Sequence, residues 1–198
     1  MVVMSPRTPQ QQAVIRDQSR RLILDKALEL FASHGYHDTT MEQLARTAGV
    51  SKGLIYHYYA GKKELLTAII EDGFNSFSDP QEWLENHDSR QVLAFILDQF
   101  LKLAKDSIRF WRLYYSLMLQ SGVFEEIVGQ FRSHFSEMRN LLTGLFRELE
   151  YENPEQEALF FAGAVEGILM HYMIDVDNYP LTAVREFIVS RYNLPDVN

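Results

Sequence analysis

Apolar residues recur every three to four positions along almost the whole chain, and strict alternation of apolar and polar residues is nearly absent. A 3.6-residue period gathers apolar side chains on one face of an α-helix, whereas a half-buried strand needs a period of two. The expected fold is therefore all-α.

Capping and breaking residues divide that pattern. Residues 1–11, rich in Pro and Gln, are expected to form a mobile arm. A first helix is predicted over 12–34, with Ile23, Ala27, Leu30 and Phe31 on one face and Gly35 as a left-handed C-terminal cap. A second is predicted from Thr39, at capping-box spacing from Glu42, to Gly49; it would bury Met41, Leu44, Ala45 and Ala48. A short third helix follows Ser51 as N-cap. A fourth runs from Lys62 toward Phe77, carrying Leu65, Leu66, Ile69, Ile70 and Phe74 inward until Ser78-Asp79-Pro80 interrupts it. Five more are predicted over 89–105, 107–120, 124–149, 154–175 and 181–192, making about nine in all. The expected domains are 12–77, a three-helix helix-turn-helix unit with its linking fourth helix, and 78–198, a larger helical regulatory and dimerisation domain.

The net charge of −8 looks wrong for a chain that meets DNA until it is divided. Residues 1–75 hold nine Lys/Arg against eight Asp/Glu, and residues 76–198 hold ten against nineteen. Only the first part can approach polyphosphate without strong repulsion. The absence of cysteine excludes a disulfide framework, a thiolate metal site and a cysteine nucleophile. The N-terminus lacks the pattern of a secretory signal, and there is no run of about 18 consecutive apolar residues, so a cytoplasmic protein that does not span a membrane is expected. With no nucleophile motif, metal cluster or phosphate-binding glycine loop, the chain does not read as an enzyme, and no cofactor or metal is expected; His34 and His37 form at most a weak pair at a helix end.

The second and third helices, joined through Ala48-Gly49-Val50-Ser51, have the helix-turn-helix form, whose second helix enters the major groove. Lys52, Gly53, Tyr56 and His57 stand at i, i+1, i+4 and i+5 and project together. Lysine supplies charge, glycine permits close backbone approach, tyrosine donates to phosphate, and histidine reaches base edges. Thr40 and Lys62 stand at helix N-termini, whose free N–H groups favour phosphate. From Ile23 to Ile70 the chain resembles the TetR family of bacterial regulators: Phe31, Gly35, Tyr36, Thr39-Thr40-Met41, Leu44-Ala45, Ala48 to Gly53, Ile55-Tyr56, Tyr58-Tyr59 and Lys62 to Leu66 stand in its order and spacing. The resemblance implies phosphate contacts for Thr40, Ser51, Tyr56, Tyr58 and Lys62, groove contacts for Lys52 and Gly53, and a base contact for His57. Two positions depart from it. Tyr59 replaces the usual core Phe, so its hydroxyl needs a partner or solvent, and Gly61 replaces the usual Asn, Asp or Ser cap.

The second domain is acidic and rich in aromatic residues, which suits a ligand cavity and equally a plain helical core. Its 107–120 helix is apolar on two faces, as a helix between packed layers would be. Candidate effector contacts are Trp111, Tyr114, Tyr115, Met118, Phe131, Phe135, Met138, Glu166 and Met170. Glu166 lies amid apolar residues, facing the effector cavity or the dimer seam, and should have a cationic partner, a hydrogen-bond donor or a proton of its own; Arg109, Arg112 and His171 are the candidates in the chain, and a basic or hydroxylated ligand is the functional one. The small residues of Ala162-Gly163-Ala164-Val165-Glu166-Gly167 permit close helix approach, within the chain or at a twofold interface. The resemblance implies that the last two helices of each subunit form a four-helix dimer bundle. The expected function is a homodimeric repressor that binds a palindromic double-stranded operator and is released by a small-molecule effector; the alternative is a second domain that docks a protein partner.

Overall fold

The computed structural model describes residues 8–75, 83–120 and 122–196, and all regular structure among them is helical. Nine helices are defined there: α1 (Pro9–His34), α2 (Met41–Ala48), α3 (Lys52–Tyr58), α4 (Lys62–Asn75), α5 (Ser89–Asp106), α6 (Ile108–Met118), α7 (Val123–Glu148), α8 (Pro154–Ile174) and α9 (Leu181–Tyr192). The expected interruption at Ser78-Asp79-Pro80 lies outside the described residues.

The chain divides into two compact units, one ending at Asp72 and the other beginning at Gly73. In the first unit, Ile23, Ala27 and Phe31 of α1 are buried with Leu44 of α2, Ile55 of α3 and Leu65, Leu66 and Ile70 of α4. Three local expectations need correction. Residues 9–11 are helical, because Thr8 and Gln11 form a capping box and Pro9 fits the first helical turn, where an N–H has no partner to lose. The cap of α2 is Thr40, paired with Gln43, and Thr39 with Glu42 has no such role. Thr39 is buried and its hydroxyl donates to the Gly35 carbonyl at 2.8 Å, which fastens the turn between α1 and α2. Gly35 has the expected positive φ of 85°, but with ψ of 152° it lies outside the left-handed helical region, in a conformation almost confined to glycine.

In the second unit, α7 and α8 form the most extensive helix pair, and α5 packs on both. Phe161 of α8 meets Phe146 of α7 and Tyr192 of α9 edge to face, and Phe146 and Tyr192 are tilted against each other, all within 6 Å. Arg185 of α9 grips Asp98 of α5 with two hydrogen bonds, at 2.6 and 2.8 Å, across 87 positions of sequence. Gly73 is forced by packing, since a Cβ there would fall 2.0 Å from the Phe110 ring. By length and composition α8 could cross a membrane, with a mean hydropathy of 1.3 over its most apolar stretch, of which only 33% is buried in the chain. Unbroken apolar runs do not single it out, because Glu157 and Glu166 interrupt it.

Candidate nucleic-acid interface and ligand cavity

The turn between α2 and α3 is set by Gly49, whose left-handed backbone (φ 65°, ψ 28°) lets its N–H and that of Val50 close the last carbonyls of α2. Ser51 then caps α3, its hydroxyl accepting from the Leu54 N–H at 3.1 Å. Ile55 is the buried anchor of this two-turn helix, and Lys52, Gly53, Tyr56 and His57 are all exposed. Tyr58 is half-buried, with its ring 5.1 Å from that of His57. Thr40 is also exposed, although its hydroxyl is engaged with Gln43.

Lys62 stands differently from the other cations of this surface. Its ammonium donates to the carbonyls of Tyr36 and His37, at 2.7 and 2.9 Å, and lies 4.8 Å from the centre of the Tyr36 ring. Burial pushes its pKa down, countered in part by Asp38. Lys62 is thus first a tie between α4 and the turn after α1, with one N–H left over. The Tyr59 hydroxyl finds the partner it needs in Arg20, whose Nε donates to it at 3.3 Å. Burial raises the Tyr59 pKa, and the neighbouring Arg20 opposes that rise. Gly61 before α4 has no side chain to cap it, and the Glu64 carboxylate accepts from the Ala60 N–H, which fixes the turn that enters the helix.

In the second unit a cavity of about 930 Å³ opens among α5, α6, α7 and α8. Of the residues expected to face an effector, Trp111, Tyr114, Phe135, Met138 and Glu166 line it. Tyr115, Met118, Phe131 and Met170 do not. Tyr115 instead donates its hydroxyl to the Glu166 backbone carbonyl at 3.0 Å. Phe131 is buried behind the wall, 5.2 Å from the Tyr114 ring, and Met170 is exposed on α8. Sequence reasoning misses the wall that α5 supplies, Phe95, Ile96, Gln99 and Phe100, as well as Phe74 and His134, whose rings stack at 4.3 Å. No sequence signal separates them from core, because a residue that faces a cavity and one that faces a neighbour have the same period. Burial raises the Glu166 carboxyl pKa, and neither Arg109, Arg112 nor His171 pairs with it.

The surface of α8 also bears on the small-residue stretch. A Cβ built on Gly163 or Gly167 would meet nothing within 4 Å, so packing inside this chain does not require glycine at either position. Leu159, Phe160, Met170 and Ile174 of α8, Val176 after it and Phe187 of α9 are exposed apolar side chains.

The sequence profile described as bacterial regulatory proteins, tetR family, matches residues 23–69, the span from α1 into α4. The biofilm operon icaADBC HTH-type negative transcriptional regulator IcaR of Staphylococcus epidermidis is 30% identical over 139 residues, 69% of this chain and 71% of that one. Among solved structures, the fatty acid degradation regulator FadR of Bacillus halodurans superposes with a TM-score of 0.74 at 18% identity, covering 87% of this chain and 97% of that one. FadR of Bacillus subtilis in complex with stearoyl-CoA gives 0.73, at the same identity and coverage.

Proposed function

Because the chain belongs to the tetR family of bacterial regulatory proteins, we propose that it is a repressor that binds a palindromic operator as a homodimer and leaves it when a small molecule enters the cavity of its second unit. The observation that carries the DNA-binding part is α3, anchored by Ile55 alone while Lys52, Gly53, Tyr56 and His57 face outward. That is the form of a recognition helix, with its N-terminal residues placed for base edges. Thr40, Ser51, Tyr56, Tyr58 and the third N–H of Lys62 are assigned to phosphate, Lys52 and Gly53 to the groove, and His57 to a base.

The regulatory part rests on the cavity. A volume of about 930 Å³ lies at the upper end of the range for small-molecule sites, and aromatic walls with a few polar groups are the usual lining. The bound stearoyl-CoA belongs to the B. subtilis relative and illustrates only that this fold can hold a ligand. Homodimerisation through α8 and α9 is supported by their exposed apolar residues and by the open face of Gly167, which suits close approach by a second copy.

Binding-site selection with the purified protein tests the reading. The expected product is a palindrome with half-sites one helical turn apart, and His57→Ala should change preference at one position of each half-site by about 1–3 kcal/mol. An unchanged motif in the variant removes the base contact from His57. Failure to select any motif removes the regulator reading.

A further inference from the structure

Glu166 is the feature of the cavity that a plain lipophile leaves unexplained. The walls are mostly aromatic and aliphatic side chains, among them Phe95, Phe100, Trp111 and Tyr114, with the amides of Asn75 and Gln99, and Glu166 places a half-buried carboxylate among them. Among the described residues, no side chain donates a hydrogen bond to that carboxylate, and no cation lies within ion-pair distance. The nearby hydroxyls reflect the same surroundings: burial raises the pKa of both Tyr114 and Tyr115, that of Tyr115 to about 12, and the negative charge of Glu166 is the next cause for each.

The other charged lining residues do not cancel this charge. Glu137 and Arg139 are exposed, and Glu137 accepts from the Ser133 hydroxyl at 2.9 Å. The lining thus holds two carboxylates against one guanidinium, with His134 stacked on Phe74. An anionic ligand would have to bring its charge toward Glu166, and a neutral one without a hydrogen-bond donor would leave the carboxylate desolvated and unpaired. A cation with apolar substituents meets both demands, because it pairs with the carboxylate and is attracted by the faces of the surrounding rings.

We propose that the cavity selects lipophilic cations, organic ammonium or phosphonium compounds whose charge is held by Glu166 and whose apolar groups lie against Phe95, Phe100, Trp111 and Tyr114. This rests on reading the cavity as the effector site, and the test separates the two ideas. Calorimetric titration of the full chain would use tetraphenylphosphonium as the cation, triphenylphosphine oxide as a neutral compound of similar aromatic surface, and palmitate as an anionic chain. The cation should bind at least tenfold more tightly than the oxide. Glu166→Gln should weaken the cation at least tenfold and the oxide less than twofold, and Glu166→Asp, which keeps the charge, should retain most of the cation affinity. Equal affinity for cation and oxide, or stronger binding of palmitate, overturns the cation assignment and leaves the cavity reading standing. If none of the three binds, the cavity reading falls and the proposal with it.

Discussion

Lys62 and Lys52 are both lysines next to the candidate DNA surface, and their surroundings assign them different work. Lys62 donates to two carbonyls in the turn after α1, whereas Lys52 is exposed at the first position of α3. Lys62→Ala should therefore lower stability by about 1–2 kcal/mol, the scale of a charged hydrogen bond at a partly exposed site. Lys52→Ala should leave the thermal midpoint nearly unchanged and reduce the salt slope of operator binding by about one unit. Thermal unfolding and a salt titration of both variants separate the roles; a Lys62→Ala protein as stable as the parent would return that residue to the phosphate contacts alone. Glu166 makes a second case. Its native carboxyl pKa lies above the unfolded value because of burial, so between the two the native state holds the proton more tightly and stability falls as pH rises. Glu166→Gln should accordingly raise the thermal midpoint of the ligand-free protein at pH 8, and the gain should shrink as pH falls toward 4. A gain independent of pH would mean that the charge of Glu166 is not what burial penalises. That Glu166 needed explaining was legible from the apolar residues around it in sequence. That Lys62 turns back to its own backbone was not, since its partners lie 25 and 26 positions away.

Helices were legible where period and caps agree. α8, α5 and α9 begin as the pattern predicts, because Pro154 itself fits the first helical turn, Ser89 follows the capping Asp88 and Leu181 follows Pro180. The errors fall where two capping residues adjoin or where composition suggests a loop. At Thr39-Thr40 either hydroxyl could cap α2; the first is drawn inward to the Gly35 carbonyl, which leaves the second as cap. At Thr8-Pro9 the surrounding Gln and Pro suggest an arm, yet Thr8, Pro9 and Gln11 together make a helix start. The two threonines should respond differently to substitution. Thr40→Ala removes an exposed cap and should cost about 1 kcal/mol, and Thr40→Ser should restore it, as measured by denaturant unfolding. Thr39→Val keeps the volume but leaves the Gly35 carbonyl without its donor inside a buried turn, and should cost about 1–3 kcal/mol. Equal losses for Thr40→Ala and Thr40→Ser would show that α2 is not capped by this hydroxyl.

At the scale of the whole molecule, the sequence identifies two kinds of surface and cannot tell which apolar residues will stay outside. Leu159, Phe160, Met170, Ile174 and Phe187 carry the same hydrophobic signal as core residues, and only the fold leaves them on the surface of α8 and α9, with Ile174 73% and Phe187 67% exposed. A monomer seldom leaves so many large apolar groups on two successive helices, and a second copy related by a twofold axis would bury them against themselves. A stable dimer needs roughly 1,200–2,000 Å² of buried surface in total, which two helices per subunit can supply. Sedimentation of the parent protein should give a dimer at micromolar concentration. Introducing charge with Ile174→Glu and Phe187→Glu should shift it to monomer without loss of helicity. The dimer should also govern DNA binding, because two recognition helices reach successive major grooves, about 34–36 Å apart, only when they are joined. The double variant should then keep weak binding to a single half-site and lose at least a hundredfold in affinity for the full palindrome. A parent protein that sediments as a monomer both alone and on DNA, or a double variant that stays dimeric, would move the interface away from α8 and α9.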